Sequence, residues 1–157
     1  MTKEVNKTSH SQDSQLEEKV LEIKKVSKKT AGGDQMGFSA LVVVGNRAGR
    51  IGVGLAKSKD VQTAVKKAIS CANREAVELN MSGNTIPYEV GAKYRSSEVL
   101  IKPAPAGSGL IAGGAVRVTL ELAGVKDASA KILGSNNKTS NARCALKALQ
   151  KIRKVEK

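Results

Sequence analysis

The sequence predicts an α+β protein of two small domains, and three stretches carry that prediction. From residue 19 to about 79, three strand-like runs precede one amphipathic helix. From Ile101 to Gly124, IKPAPAGSGLIAGGAVRVTLELAG passes from extended to glycine-rich to helical. Between them, Asn80-Met81-Ser82-Gly83-Asn84 reads as a linker. The expected organisation is a disordered polar tail over residues 1–18, a first domain over 19–82 and a second over 83–157.

The first domain begins with KVLEIKKVSKKTAGG, in which Val20, Leu21, Ile23 and Val26 mark a strand. It is expected to run into a basic, flexible hairpin loop ending at Gly32 and Gly33. Lys24, Lys25, Lys28 and Lys29 make that loop either a phosphate-binding finger or a solvated lysine cluster. A second strand follows from Phe38 to Val44, with turn residues Gly45 to Gly49. The third, Arg50 to Lys57, alternates: Ile51, Val53 and Leu55 on a core face, Gly52, Gly54 and Ala56 on the other. The second face lacks bulk, so a neighbouring domain or an RNA backbone can approach it, the domain contact being favoured. Asp60 is placed to cap a helix through about Leu79, with Val61, Ala64, Val65, Ala68, Ile69, Ala72 and Ala76 as its apolar stripe and Lys66, Lys67 and Arg74 off it. A three-stranded antiparallel sheet with one helix on it is the architecture of a double-stranded RNA-binding domain lacking its first helix.

In the second domain, Ile86 to Lys93 and Glu98 to Lys102 are strand candidates joined by a Tyr94-Arg95-Ser96-Ser97 turn. Pro103 and Pro105 end the second of them. The glycine run that follows leads into a helix carrying Val116, Leu120 and Ala123, with Gly124 at its C-cap. A loop entering a helix suits a phosphate, yet this one has neither the Gly-Lys-Ser/Thr triplet nor dinucleotide spacing, and a purely structural turn fits as well. Ala128 to Leu133 is a further strand, Gly134-Ser135-Asn136-Asn137 a turn, and Thr139 to Arg153 the last helix. Its Arg143, Lys147, Lys151 and Lys154 share one face, either a solubilising surface or an RNA stripe.

Composition narrows the function. The formal charge is +13, and since residues 1–18 are net −2, the body carries +15. Such a surface attracts polyanions. No run approaches the length of a membrane anchor, and the expected compartment is the cytoplasm. His10 is the only histidine, which leaves a histidine-dependent triad or zinc site without a centre, and no metal or cofactor is expected. Cys71 and Cys144 are expected to be small buried groups. Three aromatic residues, Phe38, Tyr88 and Tyr94, are too few for a base-stacking ladder, so contact with the phosphates of folded RNA is the better expectation.

Three segments taken together are specific: VSKKTAGG with FSALVVVGNRAGRIGVGLAK, then KPAPAGSGLIAGGAVRVTLELAGV, then AKILGSNN. In this order, from about Lys19 to Leu149, the chain resembles the bacterial-type ribosomal small-subunit protein five family. The resemblance implies a first domain like the double-stranded RNA-binding fold and a second of the left-handed β-α-β kind. It implies a structural, non-catalytic part in the small ribosomal subunit, binding 16S-type small-subunit rRNA beside ribosomal proteins four and eight. It further implies a place near the mRNA entry region and an effect on translational accuracy through protein four. Carried over by position, Ser27 to Gly33 matches the family hairpin that reaches rRNA, with Lys24, Lys25, Ser27, Lys28, Lys29, Gly32 and Gly33 as candidates. Arg47, Arg50, Lys57 and Lys59 match basic positions around the second turn and third strand, and Gly109 and Arg117 match the contact with protein four. Two departures stand out. Asp34, Gln35 and Met36 replace a usual basic-then-aromatic pattern, implying weaker or shifted RNA contact, and Lys138 stands where proline is usual.

Two rival readings are testable. The second domain resembles the fold of certain small-molecule kinases, but Glu121 and Asp127 are the only acids near the glycine loop and the domain is too small to enclose nucleotide and substrate. A free regulatory double-stranded RNA binder would need no ribosome.

Overall fold

The computed structural model describes residues 16–81 and 83–152. Most of the expected tail, and Arg153 and Lys154 of the expected last helix, lie outside the described residues. Eleven elements follow in order: β1 (Glu17–Thr30), β2 (Gly33–Gly45), β3 (Arg50–Ser58), α1 (Val61–Arg74), β4 (Val77–Glu78), β5 (Val90–Tyr94), β6 (Ser97–Pro103), β7 (Leu110–Ile111), α2 (Gly114–Ala123), β8 (Ala128–Ile132) and α3 (Lys138–Gln150). The first sheet has the order β1-β2-β3-β4 and is antiparallel throughout. The second has the order β5-β6-β8-β7, with β7 and β8 parallel on either side of α2. The α+β class and the β-α-β unit of the second half are as the sequence predicts.

Strand β2 explains how the two halves join. Ala40 to Val44 are all buried, without alternation. Such a run belongs to a strand covered on both faces. Ala40, Val42 and Val44 pack with Ala64, Ala68 and Ala72 of α1. Leu41 and Val43, with Ile51 and Val53 of β3, join a larger core containing Val99, Ile101, Val116, Leu120 and Leu149 of the second half. The larger core therefore crosses the linker region, and the halves are packed face to face.

This corrects the reading of β3. Its glycine face meets neither the second half nor an open surface: a Cβ at Gly52 would run into the Ala72 carbonyl oxygen, and one at Gly54 into that of Ala68. Small residues on both sides bring α1 onto the sheet at backbone distance, so its stripe is alanine where most helices carry leucine. The Ile51 and Val53 face is the one that packs on the second half.

Further expectations differ, and β5 begins at Val90 rather than at Ile86. Helix α1 stops at Arg74, because Val77 and Glu78 pair with Ile51 and Arg50 as a fourth strand. Asp60 precedes α1, but its side chain makes no capping hydrogen bond. Residues 27–37 form a continuous two-stranded ladder with Lys28 opposite Gln35 and Lys29 opposite Asp34, where a flexible loop was expected. Only Ala31 and Gly32 remain as the turn, and Thr30 Oγ1 donates to the Gly33 carbonyl at 2.7 Å. A lysine-rich strand needs a partner rather than hydrophobicity to stay extended, and residues 33–37 supply it. In the second half, the β5–β6 turn, the Pro103 terminus and Gly124 as left-handed C-cap at φ 99° stand where expected, and Asn137, the last residue of the expected turn, caps α3 by accepting from the Thr139 amide.

Candidate nucleic-acid interface

The β1–β2 hairpin extends past α1 and carries most of the candidate residues. Lys25, Lys28 and Lys29 are exposed on it and have no ion pair among the described residues, whereas Lys24 bonds Glu22 at 3.2 Å. At the foot of the ribbon, Ser27 and Lys28 meet Lys57 and Lys59 from the end of β3 around a hollow of about 370 Å³ floored by Val26 and Met36. Four of the candidates named from sequence thus line one hollow, Ser27, Lys28, Lys57 and Lys59, with Lys29 next along the ribbon. Gly32 and Gly33 form the tip. Asp34 lies directly across from Lys29, so the ribbon holds one carboxylate amid its cations.

Arg47 and Arg50 lie at the opposite end of β3, about 27 Å from Lys57 and Lys59 at strand rise. Arg50 is exposed and unpaired among the described residues. Arg47, although exposed, is engaged by carboxylates of the chain itself. Its guanidinium meets Glu17 at 2.8 Å and Glu121 at 3.5 Å, and Lys19 meets Glu121 at 2.8 Å. Its backbone, at φ 53°, donates to the Leu122 carbonyl at 3.0 Å, while Gly49 donates to Ala123 at 3.1 Å. The β2–β3 turn therefore satisfies the last carbonyls of α2. Glu121 is the hub of this seam. The hydrogen bond from Lys19, then the charges of Lys19, Arg47 and Arg117, hold its carboxyl below the usual 4.5 against a partial desolvation that pushes the other way.

These pairs are partly exposed, so solvent screens them. Glu121→Gln is expected to cost about 0.5–1 kcal/mol at neutral pH. Because the native carboxyl has the lower pKa, this contribution is complete above about pH 4.5 and is lost as pH falls through the native value. Thermal melts of the two proteins should differ by a few degrees at neutral pH and converge at acid pH, once the carboxyl is protonated in the native as well as the unfolded state.

Gly109 and Arg117 flank the β7–α2 segment. The Gly109 amide donates to Asp127 Oδ1 at 2.9 Å, and the Ala128 amide donates back to the Gly109 carbonyl at 3.2 Å. Asp127 is 8% exposed. A buried carboxylate of the chain itself therefore holds the loop amide that an external phosphate would use, and the acid that a kinase reading needs is spent on the fold. Arg117 lines a second hollow, also about 370 Å³, with Arg47, Lys126 and Glu121.

The basic face of α3 has a third use that neither sequence reading gave it. Lys147 Nζ donates to the Lys93 carbonyl at 3.4 Å and Lys151 Nζ to the Gly91 carbonyl at 3.1 Å. Both carbonyls lie on β5, the outer strand of the second sheet, so the lysines cover an open edge. Conversely, Lys66 and Lys67 are exposed on the outer face of α1 without an ion pair among the described residues. Their position off the apolar stripe was the signal for them. Cys144 is buried, its Sγ 3.1 Å from the Ala92 carbonyl and its pKa raised by burial, but Cys71 is partly exposed. Among the described residues no group of three acids, cysteines or histidines is placed to hold a metal, and no helix is long and apolar enough to cross a membrane.

Residues 16–80 match the model of the ribosomal protein S5 N-terminal domain, and residues 92–157 that of its C-terminal domain. The chain belongs to the ribosomal protein S5 family. The small ribosomal subunit proteins uS5 of Campylobacter jejuni strains 81-176, 81116 and RM1221 are each 46% identical to it over 135 residues, covering 86% of this chain and 92% of theirs. As a member of the S5 family, the protein is a structural, non-enzymatic component of the small subunit of the cytoplasmic ribosome. The kinase reading is thereby closed.

Proposed function

We propose that this S5 protein binds small-subunit rRNA directly, through the β1–β2 hairpin and the adjoining end of β3, and supports assembly of the subunit. One observation carries the reading: the basic residues divide by whether the fold already neutralises them. Lys19, Lys24, Arg47, Lys102 and Lys138 pair with carboxylates, and Lys147 and Lys151 with backbone carbonyls. Lys25, Lys28, Lys29, Lys57 and Lys59 have no such partner among the described residues and form the group gathered at one end of the first sheet, whereas Arg50, at the other end of β3, and Lys66 and Lys67, on α1, are unpaired but lie apart from it. Cations held on a rigid ribbon position a protein against phosphates of a folded RNA at little entropic cost.

The finer assignments rest on the family resemblance. Residues 19–82 act as the RNA-binding domain and residues 83–157 as the second domain packed on it. The Arg117 and Gly109 side faces ribosomal protein four, with protein eight and the mRNA entry region as the other neighbours. Through protein four the seam at Glu121 bears on translational accuracy, since it links that side to β1.

Salt titration tests the RNA contact. With about six phosphates neutralised, affinity for small-subunit rRNA should fall two to three orders of magnitude or more between 50 and 200 mM salt. A flat response would contradict the proposal. Sedimentation of cell extract separates it from the free-regulator reading, which requires the protein in light fractions.

A further inference from the structure

The tip of the β5–β6 hairpin carries a cluster that the charge division leaves unexplained. Tyr94 ends β5 and pairs with Ser97 across a turn of two residues, Arg95 and Ser96. Arg95 has φ 54°, a left-handed conformation that glycine or asparagine adopts more readily. Strain of this kind at an exposed turn points to a use for the side chain. That side chain lies over the Tyr94 ring, 5.6 Å from its centroid. Arg143 donates to the Tyr94 hydroxyl at 3.4 Å, fixing the ring from α3. The half-buried ring borders a hollow of about 330 Å³, where Leu146 gives apolar surface over the buried Val53 and Arg143, Lys147, Gln150 and Glu75 give polar groups. This is at the lower end of the size of small-molecule sites.

We propose that this tip and hollow hold an unpaired nucleobase of RNA, stacked on the Tyr94 ring, with a flanking phosphate on Arg95. The proposal rests on the RNA-binding reading and names a different contact: a single extruded base at the junction of the two halves, some distance from the hairpin. An aromatic ring backed by guanidinium groups is the platform on which single-stranded bases stack, and a base still paired in a duplex has no free face to offer. The surrounding cations Lys93, Arg95, Arg143 and Lys147 outnumber Glu75 and Glu98, which suits a polyanion.

The chain has no tryptophan and two tyrosines, so in a Tyr88→Phe background the fluorescence reports Tyr94 alone. Single-stranded oligoadenylate should quench it saturably. With variant affinities read from the anisotropy of a dye-labelled oligoadenylate, Tyr94→Phe should keep the affinity within about twofold, and Tyr94→Ala should lose about 5- to 100-fold. Arg95→Gly is the decisive variant: it should weaken oligoadenylate about tenfold while raising the melting temperature, because glycine relieves the turn. Small-subunit rRNA binding is measured on the same samples. Absence of quenching, or an Arg95→Gly protein that binds oligoadenylate as before, overturns the proposal while retained rRNA binding leaves the hairpin reading standing. Loss of both bindings in the unmutated protein would remove both.

Discussion

Replacing Gly54 with valine is expected to unfold the first half of the protein at temperatures the unmutated chain tolerates. The added Cβ points at the Ala68 carbonyl oxygen and the Ala72 amide, both in the backbone of α1. No rotamer change relieves such a clash, so α1 must lift from the sheet. That movement withdraws Ala64, Ala68 and Ala72 from Ala40, Val42 and Val44, the whole of the smaller core. Overpacking usually costs about 1–3 kcal/mol and more where the neighbour cannot give; about 3 kcal/mol or more is expected here. At this chain length that corresponds to a melting temperature lower by roughly 6–12 °C. Gly91→Ala is the comparison, because a Cβ there meets only the end of the Leu100 side chain at 3.5 Å and the Val99 carbonyl at 3.9 Å. A Gly54→Val protein melting within two degrees of the unmutated chain would show that the helix is not seated on the glycines.

The second large effect concerns RNA. Changing Lys28, Lys29, Lys57 and Lys59 together to glutamine should leave stability almost unchanged, since none has an internal ion pair among the described residues. Affinity for small-subunit rRNA should drop by about two to three orders of magnitude near physiological salt, and the slope of log affinity against log salt should flatten by about three. The same four-charge change at Lys19, Lys24, Lys102 and Lys138 should do the reverse: a modest loss of stability with a salt slope close to the original. If both quadruple variants flattened the slope equally, net charge alone would govern binding and the division of cations would carry no meaning.

How much of this could be read from the chain depends on the range of the interaction involved. Turns and caps are local, and so Gly124, Asn137, Pro103 and the Tyr94 to Ser97 turn were legible from neighbouring residues. The run Phe38 to Val44 was legible as a strand, but nothing local says that Ala40 to Val44 are covered on both faces or which element covers which side. Hence the glycine face of β3 was referred to a neighbouring domain when α1 was its partner. Val77 and Glu78 read as helix because their pairing with β3 is a long-range contact. The hairpin lysines were legible from their charge and Ser27, Gly32 and Gly33 through a family resemblance, while their exposure belongs to the fold. Electrostatics were the least legible. Arg47 and Lys28 look alike in sequence, and only the arrival of Glu17 and Glu121 from distant positions turns one into a clasp between the halves while the other stays open to solvent. In α3, likewise, Lys147 and Lys151 gained their role from the carbonyls of β5, some sixty positions earlier.

The most direct test of the account is the reactivity of each lysine toward a small amine-modifying reagent, in the free protein and in the assembled small subunit. Lys25, Lys28, Lys29, Lys57 and Lys59 should react quickly in the free protein and become protected in the subunit, while Lys19 should react slowly in both. Hairpin lysines that stay reactive in the assembled particle would contradict it.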